Sequence, residues 1–141
     1  MPSYDPQNIF AKILRGEFPA YKVYEDDRSL AFLDIMPRAT GHTLVIPKAP
    51  ARNILDIDAD DFAYVMKIAQ RIAKIAMTVF EADGIVVQQF SEPASGQVVY
   101  HLHVHVIPCK QGIPLKPPAT FKEDPAVLAE QAKKLAAALS A

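Results

Sequence analysis

The chain has 141 residues, of which 50% are hydrophobic and 22% charged, with a formal net charge of −1. That length suits one domain with one core, and the balanced charge excludes a general attraction for nucleic acid or for an anionic membrane. Its single cysteine, Cys109, excludes a disulfide framework; no signal-peptide pattern and no apolar run of the roughly 18–20 residues that span a bilayer is visible, so a cytoplasmic protein is expected.

The first predicted element is a helix over 8–16, NIFAKILRG, with Ile9, Phe10, Ile13 and Leu14 on a helical period and Gly16 as its stop. Residues 21–25 and 29–35 read as two strands joined by the turn Glu25-Asp26-Asp27-Arg28, and 43–47, TLVIP, as a third strand. The longest periodic segment, 60–82, carries Phe62, Val65, Met66, Ala69, Ile72, Ala73, Ala76, Val79 and Phe80 on one stripe. Asp56, Asp58, Asp60 and Asp61 cluster at its start, where the N-cap and the helix dipole favour acids. Gly84 is expected as the left-handed residue past its end. A fourth strand (84–90), a loop (91–96) and a fifth strand (97–108) follow. Residues 108–118 are too rich in proline for a helix or a central strand and read as an extended arm. The tail, 125–140, opens with proline and is helical by composition, with Leu128, Ala132, Leu135 and Leu139 as a narrow apolar stripe. Strands grouped around a few helices predict an α+β fold with a mainly antiparallel sheet.

Three of the four histidines stand at alternate positions, His101, His103 and His105, in YHLHVHVIP. On a strand they share one face, with neighbouring imidazoles roughly 6.5–7 Å apart, while Leu102, Val104 and Val106 face the long helix. Stability does not require such a row, so two chemistries stay open. Three histidines can hold zinc and leave a position for water. Alternatively one imidazole attacks phosphorus while the others bind phosphate oxygens and handle the leaving-group proton, a task suited to a group with a free pKa near 6.5. The fourth histidine, His42 in ATGHTLVIPK, opens a strand and can reach the same face to orient the nucleophile's tautomer.

HLHVHV matches the His-x-His-x-His-x-x pattern, with x apolar, and resembles the histidine triad (HIT) family. Residues 8–48 are similar to the N-terminal half of its Hint branch, and 95–108 to the active-site strand of that branch. The resemblance implies a HIT-like α+β fold: a five-stranded antiparallel sheet with a long helix and a short N-terminal helix, to which composition adds the C-terminal helical tail. It implies a catalytic domain over 1–108, with 109–141 as an arm and helix of the same domain, and a homodimer with a joined sheet. It further implies hydrolysis or transfer at the α-phosphate of a nucleotide, most of all hydrolysis of purine nucleoside 5'-phosphoramidates, with no cofactor. A nucleotidyl group passes to His103 and then to water. His101 and His105 flank the phosphate or leaving group, and His42 supports the nucleophile. Gly96, Gln97 and Val98 lie at the phosphate and leaving-group region, Asp34 binds ribose hydroxyls, and Phe10, Phe32 and Ile35 wall the base and sugar. The other readings are a nucleotide-binding regulatory protein with weak catalysis and a dinucleoside polyphosphate hydrolase.

Departures from the family pattern are informative. Phe90 or Ser91 fills the place of an asparagine in FSEPASGQ, and Ser91 replaces only one of an amide's hydrogen bonds. Some relatives carry a structural zinc on CxxC near the N-terminus. Here that stretch is Asn8-Ile9-Phe10-Ala11, and Pro50 stands where the site has its histidine. No metal is therefore expected. The wide stripe of 60–82, including Ile68 and Ile75, and the free edge of 84–90 fit a dimer in which the arm and last helix reach the partner's site.

Overall fold

The computed structural model describes residues 2–141. Helix α1 (Ile9–Leu14) precedes strands β1 (Lys22–Glu25), β2 (Ser29–Leu33) and β3 (Thr43–Pro47). Helix α2 (Ala59–Val79), strands β4 (Gly84–Gln88) and β5 (Val104–Cys109), and helix α3 (Pro125–Ser140) complete the chain. The strands form one antiparallel sheet in the order β1-β2-β3-β5-β4, the α+β arrangement expected.

Local chemistry sets the helix boundaries. Asn8 caps α1 by accepting from the Ala11 N–H at 2.9 Å. Asp58 caps α2 through the Asp60 and Asp61 N–H groups, and Asp124 caps α3 through the Ala126 N–H at 2.7 Å. The left-handed residue after α2 is Glu81, at φ 51°, not Gly84. Gly84 instead opens β4. A glycine is required at 41, where φ is 82° and a Cβ would stand 2.5 Å from the Phe80 ring.

The sheet buries both faces. On one, α2 and α3 pack with Val65, Ala69, Ile72, Leu128 and Leu135 against Val45, Leu102, Val104 and Val106. On the other, Phe10 and Ile13 of α1 meet Leu30, Phe32, Leu44 and Ile46. Leu128, Ala132, Leu135 and Leu139 sit in the core with α2 of the same chain. β4 is an edge strand, and Val87 on it is exposed.

The fifth strand is shorter than the sequence suggests, because only Val104–Cys109 pairs. Residues 97–103 lie against 47–53 instead: the Leu102 N–H donates to Ala51 O at 2.8 Å. His101 therefore stands outside the sheet, and the row of three is bent at its first member.

Candidate active site

His105 is paired in β5, opposite Leu44 of β3 and Gln88 of β4. His103 immediately precedes the strand, and the two rings meet edge to face with centroids 5.1 Å apart, closer than a flat strand gives. The loop 34–42, between β2 and β3, brings His42 and Asp34 to the same place.

The hydrogen bonds fix the tautomers. His103 Nδ1 lies 2.7 Å from His101 O, and a carbonyl only accepts, so Nδ1 carries the proton and the Nε2 lone pair is free. No protein group binds that Nε2 among the described residues. The Arg38 N–H donates to His42 Nδ1 at 3.0 Å, which places the His42 proton on Nε2. His42 Nε2–H then donates to His105 Nδ1 at 2.9 Å, leaving His105 protonated on Nε2. His101 is fully buried. Its Nε2–H donates to Pro47 O at 2.8 Å, and its Nδ1 accepts from the Tyr4 hydroxyl at 2.6 Å.

Burial keeps every one of these rings neutral. It pushes His42 and His101 down to about 4 and His105 to about 3, and the nearby Arg38 charge adds to the fall at His42 and His105. His103 is lowered by the same desolvation. Burial raises the Asp34 carboxyl instead. The result is a lone pair on His103 beside a neutral N–H donor on His105.

Aromatic rings hold this pair. The edge of Phe10 meets His103 with centroids 5.0 Å apart, and Phe32 backs Phe10 at 5.3 Å. Phe90 stands against His105 at 5.6 Å. Ile35 is exposed beside Asp34. Asp34 Oδ1 accepts from the Met36 N–H at 2.9 Å, while Oδ2 lies 3.6 Å from His42 Nε2. That is no ion pair with a neutral ring.

Asp34, His42 and His105 offer ligand atoms within 4.8 Å of one another. A cation there needs the His42 Nε2 lone pair, and the Arg38 N–H on Nδ1 opposes the tautomer that would supply it. The donor set favours a proton relay over a metal site.

Three expected roles change. His42 supports His105, not His103. His101 presents no free ring nitrogen to a phosphate, and acts on His103 through its carbonyl. Gln97 is buried and spends its whole amide on the protein. Its Oε1 accepts from Glu92 N–H and Asn53 Nδ2, and its Nε2 donates to Arg52 O and Val99 O. It shapes the loop ahead of the triad. Arg52 grips Glu92 in two hydrogen bonds and stacks on Tyr100, which holds Glu92 at its strained φ of 72°. Gly96 has φ 107°, Val98 is exposed at 81%, and Ser91 accepts from the Ile54 N–H at 3.3 Å and donates to Gln89 at 3.1 Å.

Tyr4, Arg38, Arg52, Asn53 and Glu92 are absent from the sequence reading. Arg38 acts on His42 through a main-chain group, and Tyr4 is 97 positions from its partner; neither leaves a local pattern.

The HIT domain profile matches residues 15–112. The chain belongs to the HIT family. A HIT-like protein from Bartonella henselae, described as involved in cell-cycle regulation and solved with an unknown ligand, is 52% identical, with a TM-score of 0.93 over 97% of this chain and 99% of that one. A zinc-bound histidine triad protein from Mycobacterium smegmatis is 36% identical (TM-score 0.83, 95% and 94% covered). A hypothetical histidine triad nucleotide-binding protein from Sulfolobus tokodaii is 31% identical (TM-score 0.85, 93% and 91% covered). Among the described residues, no helix of this HIT protein is long and apolar enough to cross a membrane.

Proposed function

We propose that this HIT protein hydrolyses purine nucleoside 5'-phosphoramidates through a nucleotidyl intermediate on His103. One observation carries the reading: the His103 Nδ1–H is spent on His101 O, which aims an unprotonated Nε2 at the site. That nitrogen attacks the α-phosphorus and the P–N bond breaks, its electron pair leaving on the amine nitrogen, which takes the proton of the His105 Nε2–H. The His105 Nε2–H hydrogen-bonds the phosphoryl or leaving group, and its basicity is tuned through His42. Water then attacks phosphorus and passes a proton to His105 Nε2, the His103–P bond breaks with its electron pair returning to His103 Nε2, and the nucleotide departs. Asp34 binds the ribose hydroxyls, and Phe10, Phe32 and Ile35 line the base and sugar. The nucleotide-binding name of the Sulfolobus tokodaii relative supports the substrate class.

The test is incubation with adenosine 5'-phosphoramidate, following AMP release. His103→Ala abolishes turnover and keeps AMP binding, and rapid quenching of the unaltered protein traps a nucleotidyl-histidine. Turnover near the unaltered rate in the alanine variant overturns the assignment. The active form is a homodimer joined along the β4 edge, and light scattering at micromolar concentration checks it; a monomer mass rejects the assembly.

A further inference from the structure

The loop 34–42 supplies Asp34, the Arg38 amide and His42, yet its outer residues Ile35 and Met36 are exposed at 43% and 37%. What crosses it is the arm between β5 and α3. The Lys116 N–H donates to Arg38 O at 2.9 Å, and Arg38 Nε donates back to Lys116 O at 2.7 Å. Further along, the Glu123 N–H donates to Ile35 O at 3.0 Å. The arm is anchored at both ends, by β5 in the sheet and by α3 in the core. Lys116 is itself oriented, with Nζ 3.9 Å from the centroid of Phe121. A cavity of about 150 Å³ lies beside the clasp, lined by Arg38, Phe80, Pro108, Ile113, Leu115 and Lys116. The arm and loop therefore meet through these hydrogen bonds more than through close packing.

We propose that this arm is a positioning strap for the histidine relay: by clasping Arg38 through Lys116 and Ile35 through Glu123, it holds the Arg38 N–H on His42 Nδ1 and so decides which His42 nitrogen carries the proton. Lys116 and Glu123 both lie beyond the HIT match, which ends at residue 112. With the clasp open, Arg38 turns about its own dihedrals and its N–H leaves His42. The His42 proton then moves to Nδ1, Nε2 presents a lone pair to the lone pair of His105 Nδ1, and the relay loses its direction. The catalytic consequence rests on the function proposed above; the tautomer itself does not.

Two variants weaken the clasp, each by one hydrogen bond. Lys116→Pro removes the donor to Arg38 O, and Arg38→Met removes the donor to Lys116 O while keeping the stem. Lys122→Ala, an exposed change in the same arm, is the control. Long-range ¹H–¹⁵N spectra of the imidazoles read the tautomers, and kinetics with adenosine 5'-phosphoramidate read the rate. The unaltered protein and the control show His42 protonated on Nε2. Both clasp variants show a mixture of tautomers, with kcat down about tenfold or more, roughly 1.4 kcal/mol of barrier, and a smaller change in KM. Should Lys116→Pro fail to fold, Arg38→Met decides alone. An unchanged His42 spectrum in a folded clasp variant overturns the strap, whatever the rate does. A redistributed spectrum in a chain that hydrolyses no phosphoramidate upholds the strap and rejects the proposed reaction.

Discussion

The Tyr4 hydroxyl donates to His101 Nδ1 across 2.6 Å, tying the residues ahead of α1 to the first histidine of the triad. Because the His101 carbonyl holds the His103 Nδ1–H, this contact lies behind the proposed nucleophile. Tyr4→Phe leaves a buried acceptor unpaired, which costs about 1–3 kcal/mol. Urea denaturation is expected to show that loss. Phosphoramidate turnover falls while AMP affinity, measured by calorimetry, changes little. An unaltered denaturation midpoint argues that His101 finds another donor.

The four neutral imidazoles make stability depend on pH. In the unfolded chain histidine protonates near 6.5, whereas burial holds His42 and His101 to about 4 and His105 to about 3. Between those values the unfolded chain binds more protons, so stability rises with pH there and is fully present above about 6.5. It falls as pH drops from about 6.5 toward 4, by an amount on the order of a few kcal/mol per ring. Guanidinium melts at pH 7.5, 6, 5 and 4.5 check the slope. A flat stability over that interval contradicts the burial argument.

Phe90 covers His105 with an apolar edge. Phe90→Asn trades that edge for an amide and admits water, so the His105 imidazole titrates at higher pH than in the unaltered protein. Proton NMR titration of the ring measures it directly. No upward movement means that the rest of the pocket, not Phe90, desolvates His105.

Gln97 provides a contrast between scaffold and contact. Gln97→Glu removes both donors from the Arg52 and Val99 carbonyls and adds a carboxylate beside Glu92. Tm is expected to drop by several degrees, with KM for the nucleotide changing less than kcat. A variant with unaltered Tm and a greatly raised KM returns Gln97 to the substrate.

Activity is expected to survive exhaustive chelation, because in the proposed reaction imidazoles meet the phosphate, and the Arg38 N–H opposes metal at His42. Loss of turnover with EDTA, restored by zinc, favours a metal at Asp34, His42 and His105.

Much of this was legible in the chain because it is local. Period and capping residues gave α1, α2 and α3, and alternation gave β1 to β4 to within a few residues. The histidine spacing places His101, His103 and His105 on one face, and the structure brings the last two together. What misled was alternation carried one stretch too far: QVVYHLH keeps the strand pattern, yet the Gln97 and His101 side chains satisfy main-chain carbonyls of 47–53 and draw the backbone away from the sheet. Tautomers were beyond reach for a related reason. They depend on main-chain groups of Arg38 and His101, which no side-chain pattern marks. Gln97 reads as a ligand from its resemblance to the family's Gly-Gln pair, and the four partners that occupy its amide, dispersed over residues 52 to 99, leave no local pattern.

The place of α3 in the core has a consequence for synthesis. Leu128, Ala132, Leu135 and Leu139 share one apolar cluster with β5 and α2. While those residues are still inside the ribosome, α2 and β1 lack their cover and the strap has no second anchor. The histidines emerge earlier, before that cover is in place. A nascent chain stalled after residue 112 is therefore expected to leave the apolar face of α2 without the Leu128, Ala132, Leu135 and Leu139 cover and open to chaperones.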